Sequence, residues 1–180
     1  MGRLNGSLRF PGGIELRFAT SADETFLIDL FISSRPWLSW VEGEKDFVRS
    51  LYEQQYAVTR TGQEAVYPEH LDFIIETTGT AVGRLIVDLG YGDWRVAELQ
   101  IAAPARGRGI GSNVMRGLQA AAGASGLPLT LSTPMMGSNA HGIYTRLGFR
   151  VTAVTPPSLQ MAWFPPGHPG AVPAGAAAGV

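Results

Sequence analysis

Residues 94–124 read WRVAELQIAAPARGRGIGSNVMRGLQAAAGA, and the succession of patterns inside them decides the architecture. The stretch opens as an alternating strand: Trp94, Val96, Glu98, Gln100 and Ala102 fall on one face, Ala97, Leu99, Ile101 and Ala103 on the other. Pro104-Ala105 then turns into Arg106-Gly107-Arg108-Gly109-Ile110-Gly111. An apolar series at Ile110, Val114, Leu118 and Ala121/Ala122 follows at helical spacing, and Gly126 stops it. The order is strand, glycine-arginine turn, helix.

That order has a chemical use. Glycines at a helix start let a ligand approach the backbone closely, and the N–H groups of the first turn point outward without partners. Such an end accepts phosphate; Arg106 and Arg108 add positive charge, and the helix dipole acts in the same sense. Two nucleotide motifs are excluded. Walker A needs Lys-Ser/Thr after its last glycine, but Gly111 is followed by Ser112-Asn113. A Rossmann fingerprint needs G-x-G-x-x-G, which Gly107, Gly109 and Gly111 miss, and no acidic residue ends a second strand about twenty residues on. The turn resembles instead the acyl-CoA-binding motif of the GCN5-related N-acetyltransferase (GNAT) family, Gln/Arg-x-x-Gly-x-Gly/Ala, filled here by Arg106, Gly109 and Gly111. The family places it between its fourth strand and third helix. Many members have a proline three residues before the motif and an aromatic residue directly before it; here those positions are Ala103 and Ala105, with Pro104 shifted by one.

With 180 residues the chain is long enough for one well-buried core and short for two. It divides into a lead-in (1–13), a single domain (14–164) and a Pro/Gly/Ala-rich tail (165–180) expected to be disordered. A formal net charge of -1 argues against a nucleic-acid-binding surface. The absence of cysteine excludes a disulfide framework, a thiolate zinc site and a cysteine nucleophile, and His70, His141 and His168 are too scattered to suggest a metal. The first residues lack the apolar run of a secretion signal and no window reaches 18 apolar residues, so a cytoplasmic protein without membrane attachment is expected.

Upstream, Ile14 to Phe18 alternates as a first strand, and Thr20 or Ser21 can cap a helix with its apolar face at Phe26, Leu27, Leu30 and Phe31. After an aromatic loop holding Trp37 and Trp40, Glu44 to Val58 resumes helical spacing, and Gly62 to Glu69 reads as a turn-rich connection. Leu71 to Glu76, Ala81 to Leu89 and the Trp94 strand form a meander through turns at Thr78-Gly79 and Gly90-Tyr91-Gly92-Asp93. Leu129 to Ser132 is a short buried strand, and Val151 to Thr155 with Leu159 to Phe164 is the last strand pair.

Between them SNAHGIYTRLGFR (138–150) carries the second resemblance. The family commonly ends its core with Asn-x-x-Ala/Arg-x-x-Tyr-x-x-Leu-Gly-Phe, and Tyr144, Leu147, Gly148 and Phe149 match its final part without a gap. The residues agree: Ser138 caps, Ile143, Tyr144 and Leu147 share a helical face, and Gly148 stops the helix.

The resemblance, which covers about Ile14 to Phe164, implies an α/β GNAT-like acyl-CoA N-acyltransferase fold. Its mixed central sheet would have six to seven strands, an antiparallel meander and then a splayed parallel pair, flanked by about four helices. It implies acetyl-CoA as donor, with coenzyme A as product. The pantetheine arm would pair with the main chain of Leu99, Gln100 and Ile101. The diphosphate would meet Arg106, Gly107, Arg108, Gly109, Ile110, Gly111 and Ser112, and Asn139 or Ser138 would touch the arm. Trp37 and Trp40 either pack a loop on the core or, with Tyr91, line the acceptor side. A lysine-like amine is about 99.9% protonated at neutral pH, so a base must free its lone pair. Glu98 or an ordered water chain is expected to do so, the Ile101 N–H to hold the oxyanion, and Tyr144 to protonate the leaving thiolate. The expected function is direct acetyl transfer to a primary amine, a small molecule in preference to a polypeptide because no long acidic run is present to attract a polycation. The alternatives are an inactive acyl-CoA-binding or protein-interaction module of the same fold, or an enzyme acting on a protein or peptide amine. A homodimer is compatible with the sequence.

Overall fold

The computed structural model describes residues 7–35, 43–136 and 139–171. Trp37, Trp40 and Ser138 lie outside the described residues.

A single sheet of eight strands runs through the molecule in the order β1-β2-β3-β4-β5-β6-β8-β7. The strands are β1 (Leu8–Phe10), β2 (Ile14–Phe18), β3 (Leu71–Thr77), β4 (Thr80–Leu89), β5 (Trp94–Ile101), β6 (Leu129–Pro134), β7 (Arg150–Thr155) and β8 (Ser158–Trp163). All neighbouring pairs are antiparallel except β5 with β6. Helices α3 (Ile110–Ala124) and α4 (Ala140–Arg146) contact the sheet with the larger core, where Val114, Met115, Leu129 and Leu131 are almost wholly buried. Helices α1 (Glu24–Ser33) and α2 (Lys45–Val66) cover the other face around Leu27, Phe31, Tyr56 and Ile74.

Three elements depart from the sequence reading. The strand beyond the expected six to seven is β1, inside the lead-in: Pro11-Gly12-Gly13 folds it back on β2, with both glycines at positive φ. Phe10 lies flat on α3, close enough that a Cβ on Gly117 would come within 2.4 Å of its ring. Second, α2 does not stop near Val58 but continues to Val66 through the expected turn. Gly62 sits there without close neighbours, and the Arg60–Glu64 pair at 3.0 Å supports the last turns. Third, residues 165–171, placed in the tail, form turns on the domain: His168 packs against Phe164, and the Gly170 carbonyl accepts from Arg150.

The position of a bulge governs the site. Along β4 and β5 the register runs Ile86↔Glu98 and then Val87↔Val96, leaving Ala97 without a partner. An extra residue reverses the side-chain alternation beyond it. Trp94 and Val96 therefore share the larger core with Leu99 and Ile101, whereas strict alternation had put these pairs on opposite faces. Glu98 and Gln100 point to the α1–α2 face, where their hydrogen bonds lie.

Candidate active site

β5 and β6 pair only over Trp94↔Leu129, Arg95↔Thr130 and Val96↔Leu131, after which they diverge. The groups left open in the gap follow from the ladder. The Ala102 N–H donates to Val82 O at 2.8 Å, and hydrogen-bonded and non-hydrogen-bonded pairs alternate along antiparallel strands. Gln100 thus turns its main chain to β4, opposite Arg84, while Leu99 and Ile101 turn theirs into the gap. The Ile101 carbonyl there already accepts from Arg106 Nε at 2.8 Å. The expected trio of main-chain contacts reduces to Leu99 and Ile101; Gln100 faces away for this geometric reason.

The glycine turn closes the end of the gap. Gly107 and Gly109 have φ of 75° and 76°, a region side chains disfavour, and Gly109 is the N-cap of α3. The first helical amide with a partner is Asn113 N–H, on Gly109 O at 3.0 Å. The N–H groups of Ile110, Gly111 and Ser112 precede it and stay open at the positive end of the helix dipole. Gly111 has a different reason to be glycine. Its φ is not positive, and a Cβ would stand 3.8 Å from Ile101 Cγ1 and 4.0 Å from Leu99 Cδ2, at the mouth of the gap.

Together these elements enclose a cleft of about 490 Å³. The expected residues that line it are Leu99, Ile101, Arg106, Gly107, Gly109, Ile110, Gly111, Ser112 and Tyr144. Arg108 is exposed outside it, and Asn139, exposed before α4, does not reach its wall. Ala140, Ile143 and Arg146 from α4, Met115 from α3 and Ala105 complete the lining, unforeseen from the sequence. Arg106 and Arg146 thus bring positive charge from the turn and from α4.

Tyr144 packs edge-on against Phe149 at 5.7 Å between ring centres, and its hydroxyl has no hydrogen-bond partner among the described residues. Burial pushes its phenol up from the ordinary value. Glu98, on the other face of β5, accepts from Gln63 Nε2 at 2.7 Å on one carboxylate oxygen and from Gln100 Nε2 on the other. Arg84 Nη1 stands 3.7 Å from Glu98, although Arg84 is itself gripped by Asp72 at 2.9 and 2.6 Å. Gln63 and Arg84 escaped the sequence reading: Gln63 lies in the segment taken for a turn, and Arg84 is a buried cation within the apolar run Ala81 to Val87 of β4. Tyr91, expected on the acceptor side, is fully exposed in the β4–β5 turn, at the end of β5 away from the cleft, so the structure does not bring it to the site.

Residues 68–151 match the family model described as an acetyltransferase (GNAT) domain. No curated protein matches the sequence. Solved structures share the fold. A PaiA N-acetyltransferase from Thermoplasma acidophilum in complex with coenzyme A superposes with a TM-score of 0.61 at 16% identity, over 84% of this chain and 98% of that one. An acetyltransferase from Thermus thermophilus gives 0.58 at 22% identity, over 86% and 97%. A GNAT family acetyltransferase from Elizabethkingia anophelis with acetyl-CoA bound gives 0.57 at 11%, over 85% and 99%. The matched segment runs from just before β3 to the start of β7 and so contains the bulged strand, the gap and the glycine turn; over it the chain is similar to the acetyltransferase (GNAT) domain, and the solved structures share its fold.

Proposed function

We propose that the chain transfers an acetyl group from acetyl-CoA directly to a primary amine of a small molecule. The observation that carries this reading is the cleft, whose open N–H groups at the start of α3 suit a diphosphate and whose gap-facing main chain at Leu99, with the Ile101 N–H, suits an amide-bearing arm. The coenzyme A and acetyl-CoA held by structures of the same fold support it. The donor supplies an acyl group activated as a thioester; the residues of this chain do the rest. Arg106 commits Nε to Ile101 O, which fixes its side chain and leaves both Nη groups for phosphate oxygens. The Ile101 N–H, turned into the gap, can donate to a carbonyl oxygen that gains negative charge. Tyr144, kept protonated by burial, gives its proton to the departing sulfur. Glu98, steadied on both oxygens, takes the proton of the amine directly or through ordered water. It lies on the α1–α2 face, so the acceptor enters from the side opposite the donor cleft. The near-neutral net charge favours a small acceptor over a basic polypeptide.

Titration calorimetry with coenzyme A, followed by a thiol-release assay with acetyl-CoA and an amine panel that includes basic peptides, tests both halves. Absence of coenzyme A binding refutes the donor assignment, and turnover of peptides alone refutes the acceptor class.

A further inference from the structure

We infer that the acceptor carries an anionic group beside its amine, an amino acid or a close derivative, and that Arg35 recognises this group; the inference rests on the acetyltransferase reading of the same site. A hydrogen-bonded chain runs across the α1–α2 face of β5. Arg35 Nη1 donates to Ser34 Oγ at 3.0 Å, Gln100 Nε2 donates to the same oxygen at 3.2 Å, and the other Gln100 amide hydrogen goes to Glu98. Ser34 Oγ donates its own hydrogen to Phe31 O at 2.8 Å, so every proton in the chain is placed. The outcome is one guanidinium and one carboxylate on the same face, separated by two neutral side chains. Arg84 also stands 3.7 Å from Glu98, but its charge is offset by the bidentate pair it makes with Asp72, so the net balance of the face is unchanged.

Arg35 also helps to cap α1, through Nη1 to Phe31 O at 3.3 Å, and it lies over the Phe31 ring at 3.7 Å. Capping and stacking leave Nε and Nη2 without a partner among the described residues. Burial holds the Arg35 guanidinium below its ordinary value, Glu98 acting in the opposite sense, and a partly desolvated cation gains most from an anion. An amine placed at Glu98 with a carboxylate reaching Arg35 answers both charges. A polyamine, or a lysine within a basic peptide, would put a second positive charge against Arg35.

The test pairs each of a set of amino acids with its carboxamide and with the decarboxylated amine, comparing kcat/KM for acetyl-CoA-dependent thiol release. Free acids are expected to exceed their partners by about tenfold to a hundredfold, the range for a charge-assisted hydrogen bond, and Arg35→Met is expected to erase that ratio while coenzyme A affinity stays unchanged. Equal use of the three forms, or a preference that survives in Arg35→Met, overturns the inference. If nothing in the panel turns over, the same compounds are titrated into coenzyme A-saturated protein, where acids binding no tighter than amides overturns it equally. Loss of coenzyme A binding in the unmodified protein would instead bring down the acetyltransferase reading itself.

Discussion

Gly111 separates the needs of the fold from those of the ligand. It sits in the first turn of α3 with ordinary helical φ, so a side chain there strains nothing, and the nearest atoms to an added Cβ are 3.8 and 4.0 Å away, at van der Waals contact. Alanine should therefore be accommodated. Valine carries two further carbons in a fixed helical rotamer toward the cleft, where a diphosphate would approach the Gly111 and Ser112 N–H groups. Replacing glycine within a helix should raise stability by a few tenths of a kcal/mol. Coenzyme A affinity should nevertheless fall at least tenfold in Gly111→Val, about 1.4 kcal/mol, and only slightly in Gly111→Ala. Calorimetric titration alongside thermal unfolding reads both quantities. An unchanged Kd in a folded Gly111→Val protein would falsify the placement of the ligand at this helix end, and a lowered melting temperature would show that the residue serves the fold instead.

Tyr144→Phe removes a hydroxyl with no partner among the described residues, so melting temperature and coenzyme A affinity should hold while kcat falls; an unchanged kcat from neutral to alkaline pH removes the proton-donor role. Glu98→Gln should lower kcat while coenzyme A affinity holds, and an unchanged kcat would count against the base. Ending the chain after Ala171 should leave unfolding unaltered, whereas ending it after Pro165 removes the Phe164–His168 and Arg150–Gly170 contacts and should lower the melting temperature by roughly 2–4 °C per kcal/mol lost; equal melting of the two forms refutes docking of 166–171. Asp23 is drawn down to about 2 chiefly by its hydrogen bonds with Arg17, at 2.7 and 2.8 Å. A depressed carboxyl stabilises the fold above its unfolded value and loses that contribution as pH falls through its folded one, so stability should drop between about pH 4 and pH 2. Asp23→Asn should flatten that limb of a urea-unfolding series, and an identical slope would contradict the pairing.

The parts of the site that could be read from sequence are those where local conformation and chemistry coincide. Gly107 and Gly109 are needed for positive φ, Ile110 to Ala122 has the spacing of a buried helical face, and the two signals meet at one boundary. The same holds for Leu147-Gly148-Phe149, where Gly148 takes φ 85° and Phe149 enters the core. The polar cluster around Glu98 is less legible because its geometry depends on residues distant in the chain. Nothing in WRVAELQI signals that Ala97 is unpaired, since the bulge is defined by what β4 places opposite it, yet that residue decides which side chains Glu98 accompanies. Gln63 falls in the segment Gly62 to Glu69, which reads as a turn-rich connection. In the folded chain the Thr59 and Thr61 hydroxyls bond back to the Gln55 and Ala57 carbonyls within the helix, at 2.9 and 3.0 Å, and α2 runs on far enough to deliver Gln63 to Glu98.

The bulge also accounts for the division of labour along β5. With unbroken alternation, Trp94 and Val96 would share a face with Glu98 and Gln100, and the strand could not both seat its first half in the larger core and present polar side chains to α1 and α2 from its second. The extra residue lets Trp94, Val96, Leu99 and Ile101 all join the α3 core while Glu98 and Gln100 meet Gln63 and Ser34 across the sheet. The main chain of Leu99 and Ile101, directed neither to core nor to helices, is left for the gap. The gap, the polar α1–α2 face and the core thus use three different directions from one strand, and the register offset at Ala97 is what keeps them apart.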